Sequence, residues 1–586
     1  MGELLIRVGM LVWIALAWTM GGYRVLPRRL RVEELLLVAA TSLAFGAGLT
    51  AMALTLAAAL GVLKFPVVLA IHLAWSVLGL SSARDIRARV RACGGVPNVW
   101  PAWKVLLTAA LAIAGVATLV TTLAPPSSSD ATVYHLRIPH EFLREGRIAP
   151  LKDNVHMFAP LYGEMLFAAG MSLHDDVLAA LIHWLLGVAA ALTAGAWAKR
   201  LGARYGLIAI VIFGLTPLVI WDATSSFVDL GFTTFAALGI LWASRPEVGP
   251  SSLIMATLFA GLAAGTKFHG CFTAVLTGIM ASVAAWPDRR SALQRFVVVG
   301  IGAAAIASPW FVRNFLLTGN PIYPMANSWF GIPAVPFFEW TYGLGSDFRH
   351  LLTSPFDLIW RGDSFDSGWA IGPAYLAVIP LAFLGRQRSR VRTTLVLSIA
   401  AYWVFWFYSC PHTRFLLAIL PMAAGLATVG LEVAFVSGRA TRIAAIVTLS
   451  VCLGVGLGTA FIQARGSARA ASGLESRSTF LRRMSWNYGA YEEANRRLGP
   501  EAKLAVFGAR NVYYLEARTT VVDHDDASDL IRSGFTHLLR IGSCPVDPQQ
   551  RGGRVLWQEE YRRPGSRFQG IQEDNLVCAQ LVALGL

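Results

Sequence analysis

The sequence predicts an all-α polytopic membrane protein of about fourteen transmembrane helices, followed by a small C-terminal α/β domain outside the membrane. Three observations predict it. The chain is 55% hydrophobic and 15% charged, with a mean hydropathy of +0.55, well above that of a water-soluble globular chain. Apolar runs of the roughly 17 to 25 residues that cross a bilayer recur up to about residue 463. Beyond that point the composition turns polar and short helical and strand patterns alternate.

In order, the spans read 4–22, 35–62, 66–82, 105–123, 176–198, 205–221, 228–244, 251–267, 268–286, 295–312, 370–386, 393–410, 414–436 and 443–463. The first is a retained span and not a signal peptide, because Arg7 alone makes a poor basic n-region and no small-residue cleavage site closes the run. Alternate short loops collect 22 Lys and Arg residues, from Arg24, Arg28, Arg29 and Arg31 in the first to Arg439 and Arg442 in the last. The opposite short segments hold only Arg7, Lys64, Lys267 and Arg414. The positive-inside rule places the basic side in the cytoplasm. Both termini, the loops 125–175 and 313–369, and the C-terminal unit are then expected outside.

Four regions follow: N-terminal transmembrane helices (1–124), a first long outer loop (125–175), a transmembrane core that includes the outer loop 313–369 (176–463), and an extracytoplasmic α/β domain (464–586). Topology accounts for the net charge of +15, so membrane lipids and not nucleic acid are the expected partners. From about Ser485 the order reads helix (YGAYEEANRRLG), strand (KLAVFG), TTVVDH, helix (ASDLIRSG), strand (THLLRI), VLWQEEY and NLVCAQLV. The FGARN turn has one glycine where a dinucleotide fingerprint needs three, and no P-loop follows a strand, so no nucleotide cofactor is expected. Cys544 and Cys578 form a disulfide or stay as two free thiols; both readings fit the sequence.

The unusual polar chemistry lies in the two long loops and at the neighbouring span ends. Asp130, in SSSDATVYHLRIP, is a carboxylate able to take a proton from an attacking hydroxyl, or an N-cap for the helical pattern behind it. Tyr134 and His135 follow at once and are expected to meet substrate. The segment YHLRIPHEFLREGRI is amphipathic, with Leu136, Phe142 and Leu143 expected to face lipid in the interface plane. In WDATSSFVDLGF, Asp222 and Asp229 bracket a short turn, and Asp229 opens a helix where the dipole favours an anion. With Asp130 it is a base-and-positioner pair or a ligand set for a divalent metal.

Lys267 in GLAAGTKFHG, Arg313 with Asn314 in SPWFVRNFLLTGNPIYP, and Arg414 with His412 in CPHTRFL reach the same level on separate spans. Three cations at one depth favour a lipid-phosphate site over three snorkelling anchors. Tyr323 belongs to the rigid GNPIYP turn beside them. Most of Trp310, Trp329, Trp340, Trp360 and Trp369 read as interfacial belt residues, and His140, His156 and His174 lack metal-ligand spacing.

The segments DATVYHLRIP, APLYGEMLF, SSFVDLGF, GLAAGTKFHG, SPWFVRNFLLTGNPIYP and HTRFLLAILP follow one another across most of 125–425. In this order they resemble the GT-C superfamily of polytopic glycosyltransferases, in particular bacterial members related to protein O-mannosyltransferases and to the lipid A aminoarabinose transferase. The resemblance implies inverting transfer of a sugar from a polyprenyl-phosphate carrier to an acceptor hydroxyl of a lipid, glycan or protein. The reaction is then expected at the outer face of the bacterial cytoplasmic membrane. By motif, Asp130 is the functional acid, and Lys267, Arg313 and Arg414 look like donor-phosphate contacts. Many relatives carry paired acids at the first motif, whereas Ala131 follows Asp130 here. A transporter or flippase of a lipid-linked saccharide is the alternative, but transporters favour midplane polar residues and repeated halves.

Overall fold

The computed structural model describes residues 2–92, 101–335, 342–366, 370–383, 389–499, 501–543, 553–563 and 575–585. Arg386, Arg388, Cys93, Trp340, Trp369 and Cys544 lie outside the described residues. Helices α1 (Gly2–Val25), α2 (Leu35–Ala59), α3 (Phe65–Leu80), α4 (Ala83–Ala92) and α5 (Ala102–Thr122) precede the first long loop. That loop holds α6 (Arg137–Glu145) and α7 (Tyr162–Leu173). The bundle continues with α8 (Asp176–Arg200), α9 (Gly206–Gly214), α10 (Pro217–Ala223), α11 (Asp229–Ala243), α12 (Pro250–Ala264), α13 (His269–Ala285) and α14 (Arg289–Thr318). The second long loop carries α15 (Phe348–Trp360), and α16 (Ala374–Val378), α17 (Arg390–Ser409), α18 (Leu420–Ser437) and α19 (Arg439–Ala471) complete the bundle.

Eight helices are long and apolar enough to cross a membrane, or ten if the bent pairs α3–α4 and α9–α10 each make one span. The chain is a multi-pass membrane protein. Pro217 opens α10, where its missing N–H interrupts the ladder, and α9 and α10 meet at 69°. The remaining expected spans coincide with shorter apolar helices, Asp229–Ala243, Pro250–Ala264, His269–Ala285 and Ala374–Phe383. A 15-residue helix such as α11 rises only about 22 Å against a hydrocarbon core of roughly 30 Å. At the other extreme, α19 runs 33 residues, beyond the point where the composition turns polar, until the left-handed Gly473 stops it.

The basic loops meet at one end of the bundle. Arg24 donates to Ser81, Arg89 to the Glu33 carbonyl, Arg245 pairs with Glu33, and Arg200 lies 2.9 Å from Glu247. The long loops lie at the opposite end, joined to each other by Arg313 and Asn314, and the C-terminal domain packs on the first of them.

That domain starts with α20 (Arg477–Met484) and α21 (Tyr488–Arg497). Its sheet is built from β1 (Lys503–Phe507), β2 (Arg518–Val522), β3 (His537–Ser543), β4 (Gly553–Arg563) and β5 (Asn575–Leu584), with α22 (Ala527–Arg532) between β2 and β3. The strand order is β2-β1-β3-β5-β4, with β1 parallel to β2 and β3 and with β5 antiparallel to β3 and β4. Leu504, Ala505 and Val506 on the central β1 are all fully buried, as a parallel strand covered on both faces requires. Cys578 on β5 is disulfide-bonded, and Cys271, Cys410 and Cys452 are free.

The domain clamps the first long loop on both sides of Asp130. The Tyr514 hydroxyl donates to the Pro126 carbonyl, and Arg477 pairs with Asp176 at the start of α8. Asp153 accepts the Val521 N–H at 2.6 Å and pairs at 2.7 Å with Arg137, which also reaches the Thr519 carbonyl. This packing corrects one expectation. The amphipathic face of the segment 134–148 does not lie against lipid: Leu136, Ile138 and Phe142 are wholly buried in protein, Ile138 and Phe142 in the core of the bundle beside α7, and Leu136 in a small cluster with Phe167 and Tyr513. Trp310 is likewise buried beside Arg313 and is no belt residue, whereas Trp329 and Trp360 are exposed.

Candidate functional site

Asp130 stands at the head of a short π-helical turn, Ala131–His135, a geometry often found at functional positions. Its side chain makes no capping hydrogen bond, so the capping alternative fails. Instead its Oδ2 accepts from Arg414 Nη2 at 2.8 Å and from the Tyr134 hydroxyl at 3.2 Å. Arg414 belongs to the tight turn Thr413–Ile419 that leads into α18. Its Nε lies 3.6 Å from Asp229 Oδ2, and Asp229 Oδ1 lies 2.5 Å from Lys267 Nζ. Four side chains from four segments thus form one run of alternating charge, Asp130–Arg414–Asp229–Lys267.

The run is graded in exposure: the Asp130 side chain keeps 33% of its surface, Lys267 17%, Arg414 5% and Asp229 1%. Asp130 is therefore the member a solute meets first, and Asp229 is the buried counter-ion that lets two cations share one apolar setting. Aromatic faces complete the cation sites, with Phe415 3.9 Å from Lys267 and Phe227 4.5 Å from Arg414.

The site is recessed. His183 Nε2 accepts the N–H of Leu230, next to Asp229, at 3.2 Å and lies 3.4 Å from Asp222. His183 is seven residues, about 10 Å, along α8 from its start at Asp176, where Arg477 docks. The Asp229 end of the charged run therefore sits roughly 10 Å below the seat of the C-terminal domain.

Around Asp130 the loop groups are tuned by burial and charge. Burial pushes the Asp130 carboxyl up, but Arg414, with His135 and His156 adding to it, outweighs this and holds it at about 2. It is ionised at neutral pH. His156 stacks on the Tyr134 ring at 3.9 Å, and burial pulls it down to about 3, so it is neutral. Burial raises the Tyr134 phenol, which stays a donor. Arg510, in the FGARN turn after β1, is among the charges that His156 feels. The turn needs its glycine: Gly508 has φ +84°, and a Cβ there would meet the Ile541 carbonyl oxygen at 1.8 Å.

Of the three expected phosphate cations, Lys267 and Arg414 meet on Asp229. Arg313 joins no ion pair among the described residues; its guanidinium turns onto Asn314 Oδ1 at 2.7 Å and the Ala159 carbonyl at 3.0 Å. Asn314 in turn donates to the Phe158 and Pro321 carbonyls, so both side chains brace α14 against the first long loop. Tyr323 packs edge-on to Phe158 at 4.6 Å. His412 positions Arg414: its Nδ1 accepts the Arg414 N–H at 3.2 Å while Nε2 lies 3.0 Å from Asp366. His135 is buried with Nδ1 2.7 Å from Glu164, behind the run and not at its mouth.

Sequence reasoning missed Glu164, His183 and Asp366. A carboxylate within apolar α7 and a lone histidine deep in apolar α8 were the available signals, since polar groups at such depth need partners; Asp366 gave none. For a metal, the one group of three His, Cys, Asp or Glu residues among those described with ligand atoms within 4.8 Å of one another is Glu3, His174 and Asp175, near the start of α8. Asp130 and Asp229 belong to no such group; their oxygens face cations.

No family model and no curated protein match the chain. Among solved structures it is similar to ArnT from Cupriavidus metallidurans in the apo state, with 16% identity and a TM-score of 0.49 over 82% of this chain and 97% of that one. It is similar to the same protein bound to undecaprenyl phosphate, with 17% identity and a TM-score of 0.49 over 82% and 98%. The archaeal oligosaccharyltransferase AglB from Archaeoglobus fulgidus, in complex with an inhibitory peptide and a dolichol-phosphate, is 12% identical with a TM-score of 0.41 over 75% and 69%.

Proposed function

We propose that the chain is a GT-C-type glycosyltransferase that moves a sugar, with inversion, from a polyprenyl-phosphate donor to an acceptor hydroxyl at the outer face of a bacterial cytoplasmic membrane. The observation that carries this reading is the shared hold of Asp130 and Asp229 on Arg414, with Lys267 on the far side of Asp229. A phosphate arriving from the membrane brings a further anion within reach of these two cations, and a charge-assisted bond to it competes with Asp130 for Arg414. As Arg414 turns to the phosphate, its depressing effect on Asp130 weakens and the carboxylate becomes a better base. The acceptor oxygen then attacks the anomeric carbon and its proton passes to Asp130. The carbon–oxygen bond to phosphate breaks, and the electron pair stays on the phosphate beside Lys267 and Arg414. Asp229 holds the cations, and the Tyr134 hydroxyl steers Asp130.

In this reading the four short apolar helices also cross, giving fourteen crossings, and the 464–586 domain lies outside the cell membrane above the site. The recess is shallow, about 10 Å along the 25-residue α8, which suits a surface reaction better than midplane transport. Asp130→Asn is expected to lower transfer by about 10²- to 10⁴-fold while polyprenyl-phosphate binding stays measurable. Lys267→Ala and Arg414→Ala are expected to weaken that binding. Transfer is read by mass spectrometry of envelope glycans and glycolipids in a deletion strain carrying each variant, and binding by native mass spectrometry. Full transfer by Asp130→Asn removes the base, and unchanged lipid affinity in both cation variants removes the phosphate site.

A further inference from the structure

The second long loop carries a helix whose apolar side is largely exposed. Along α15, Phe348, Leu352, Phe356 and Trp360 recur every fourth residue and are 68%, 61%, 60% and 72% exposed. That spacing sets them in one slanting stripe on one side of the helix. The opposite side is seated in protein: Leu358 and Ile359 are buried, and Ser354 accepts a hydrogen bond from Trp403 Nε1 at 2.9 Å. Trp403 lies six residues, about 9 Å, inside the end of α17 at Ser409. α15 is thus held level with the last turns of a membrane-spanning helix and not above them. On α17 itself Leu397, Val404 and Tyr408 are exposed, so the exposed stripe continues an apolar surface that already belongs to lipid.

We infer that α15 lies in the plane of the membrane interface, with Phe348, Leu352, Phe356 and Trp360 sunk into the headgroup–acyl boundary of the leaflet at this end of the bundle. Four large, mostly exposed apolar side chains along one helix face form an apolar patch of the kind that marks a membrane-facing surface. The polar edge fits the same placement: Asp347 caps the helix by accepting the His350 N–H at 3.0 Å, and Arg349 is exposed next to the stripe. The seat matters to the site. The turn Gly362–Phe365 follows α15, the Phe365 carbonyl accepts from Thr413 Oγ1 at 2.6 Å, and Asp366 meets His412. A helix anchored in the leaflet is therefore linked, through Phe365 and Asp366, to Thr413 and His412 beside Arg414.

The test uses the full chain in proteoliposomes, with an environment-sensitive fluorophore on Leu352→Cys, Phe356→Cys or Arg349→Cys and the unsubstituted protein as the background for its own thiols. Quenching by lipids carrying a nitroxide high on the acyl chain is compared with quenching by aqueous iodide. At 352 and 356 lipid quenching is expected to exceed iodide quenching severalfold, with the ratio falling at 349. Equal or dominant iodide quenching at 352 and 356 overturns the inference in favour of a solvated loop. Protection from both quenchers overturns it in favour of a protein cover, such as a second copy of the chain. Since no sugar transfer is read, the result is independent of the transferase reading.

Discussion

The two long loops each carry a short amphipathic helix, and the two meet opposite fates. On α6 the apolar face is covered by α7 and the core of the bundle, and Phe142 is fully buried; on α15 the corresponding face is open and Phe356 is 60% exposed. An amphipathic pattern states that a helix has one side to hide, but not what hides it. The difference comes from the neighbours. Arg137, inside α6, has a buried carboxylate waiting in Asp153 and a strand edge waiting at Thr519 and Val521, whereas among the described residues no ion pair ties α15 to another segment and its seat is the hydrogen bond from Trp403 to Ser354. A loop pinned by buried ion pairs can hold the Asp130 carboxylate still; a loop whose helix rests on lipid can follow the membrane.

The sharpest way to break that comparison is to truncate the matching aromatics. Phe142→Ala leaves a cavity in a packed core and is expected to cost about 3 to 5 kcal/mol. Phe356→Ala removes no protein packing and is expected to change thermal unfolding in detergent by less than about 0.5 kcal/mol. Equal losses would mean that α15 is also packed against protein. The clamp on the first loop is next. Asp153→Asn strands the buried Arg137 guanidinium, an effect on the order of 3 kcal/mol for a broken buried pair. It is expected to open the Pro126–Asp153 stretch to limited proteolysis and to slow turnover without changing polyprenyl-phosphate affinity. Intact protection would separate α6 from the C-terminal domain.

Much of this architecture is legible in the sequence because its signals are local. The fourteen apolar stretches coincide with helices, and the C-terminal order of helices and strands matches because hydrophobic period and length are written into each segment. Asp130, Asp229, Lys267 and Arg414 are visible as charged residues at the ends of apolar runs. That they form one alternating run is not visible, since the contacts join positions 38 to 284 residues apart. For the same reason the hydrogen bonds that turn Arg313 onto Asn314 and Ala159 are not visible, and YHLRIPHEFLREGRI reads as a lipid-facing helix although protein covers it. Sequence shows which groups need a partner. Only the fold shows whether that partner is a substrate, a lipid or another side chain.

The smallest expected effect compares one carboxylate from each loop as pH falls. Asp130 is held at about 2, where Arg414, His135 and His156 together outweigh the upward push of burial. Its folded value lies below its ordinary one, so the stability it contributes is complete above about pH 4 to 5 and is lost as pH falls toward 2. Asp347 at the start of α15 is also lowered, first by the His350 backbone N–H and then by the His350 side chain, but it is open to solvent. Its contribution has the same sign and is smaller. In thermal unfolding between pH 6 and 3, the gap between wild type and Asp130→Asn is expected to narrow, and 0.5 M salt is expected to change it little because Arg414 is buried. The gap for Asp347→Asn is expected to be smaller at every pH. A gap for Asp130→Asn that stays constant across the range, or that salt erases, breaks the pairing with Arg414, and with it the distinction between a loop fixed by buried charge and a loop resting on the membrane.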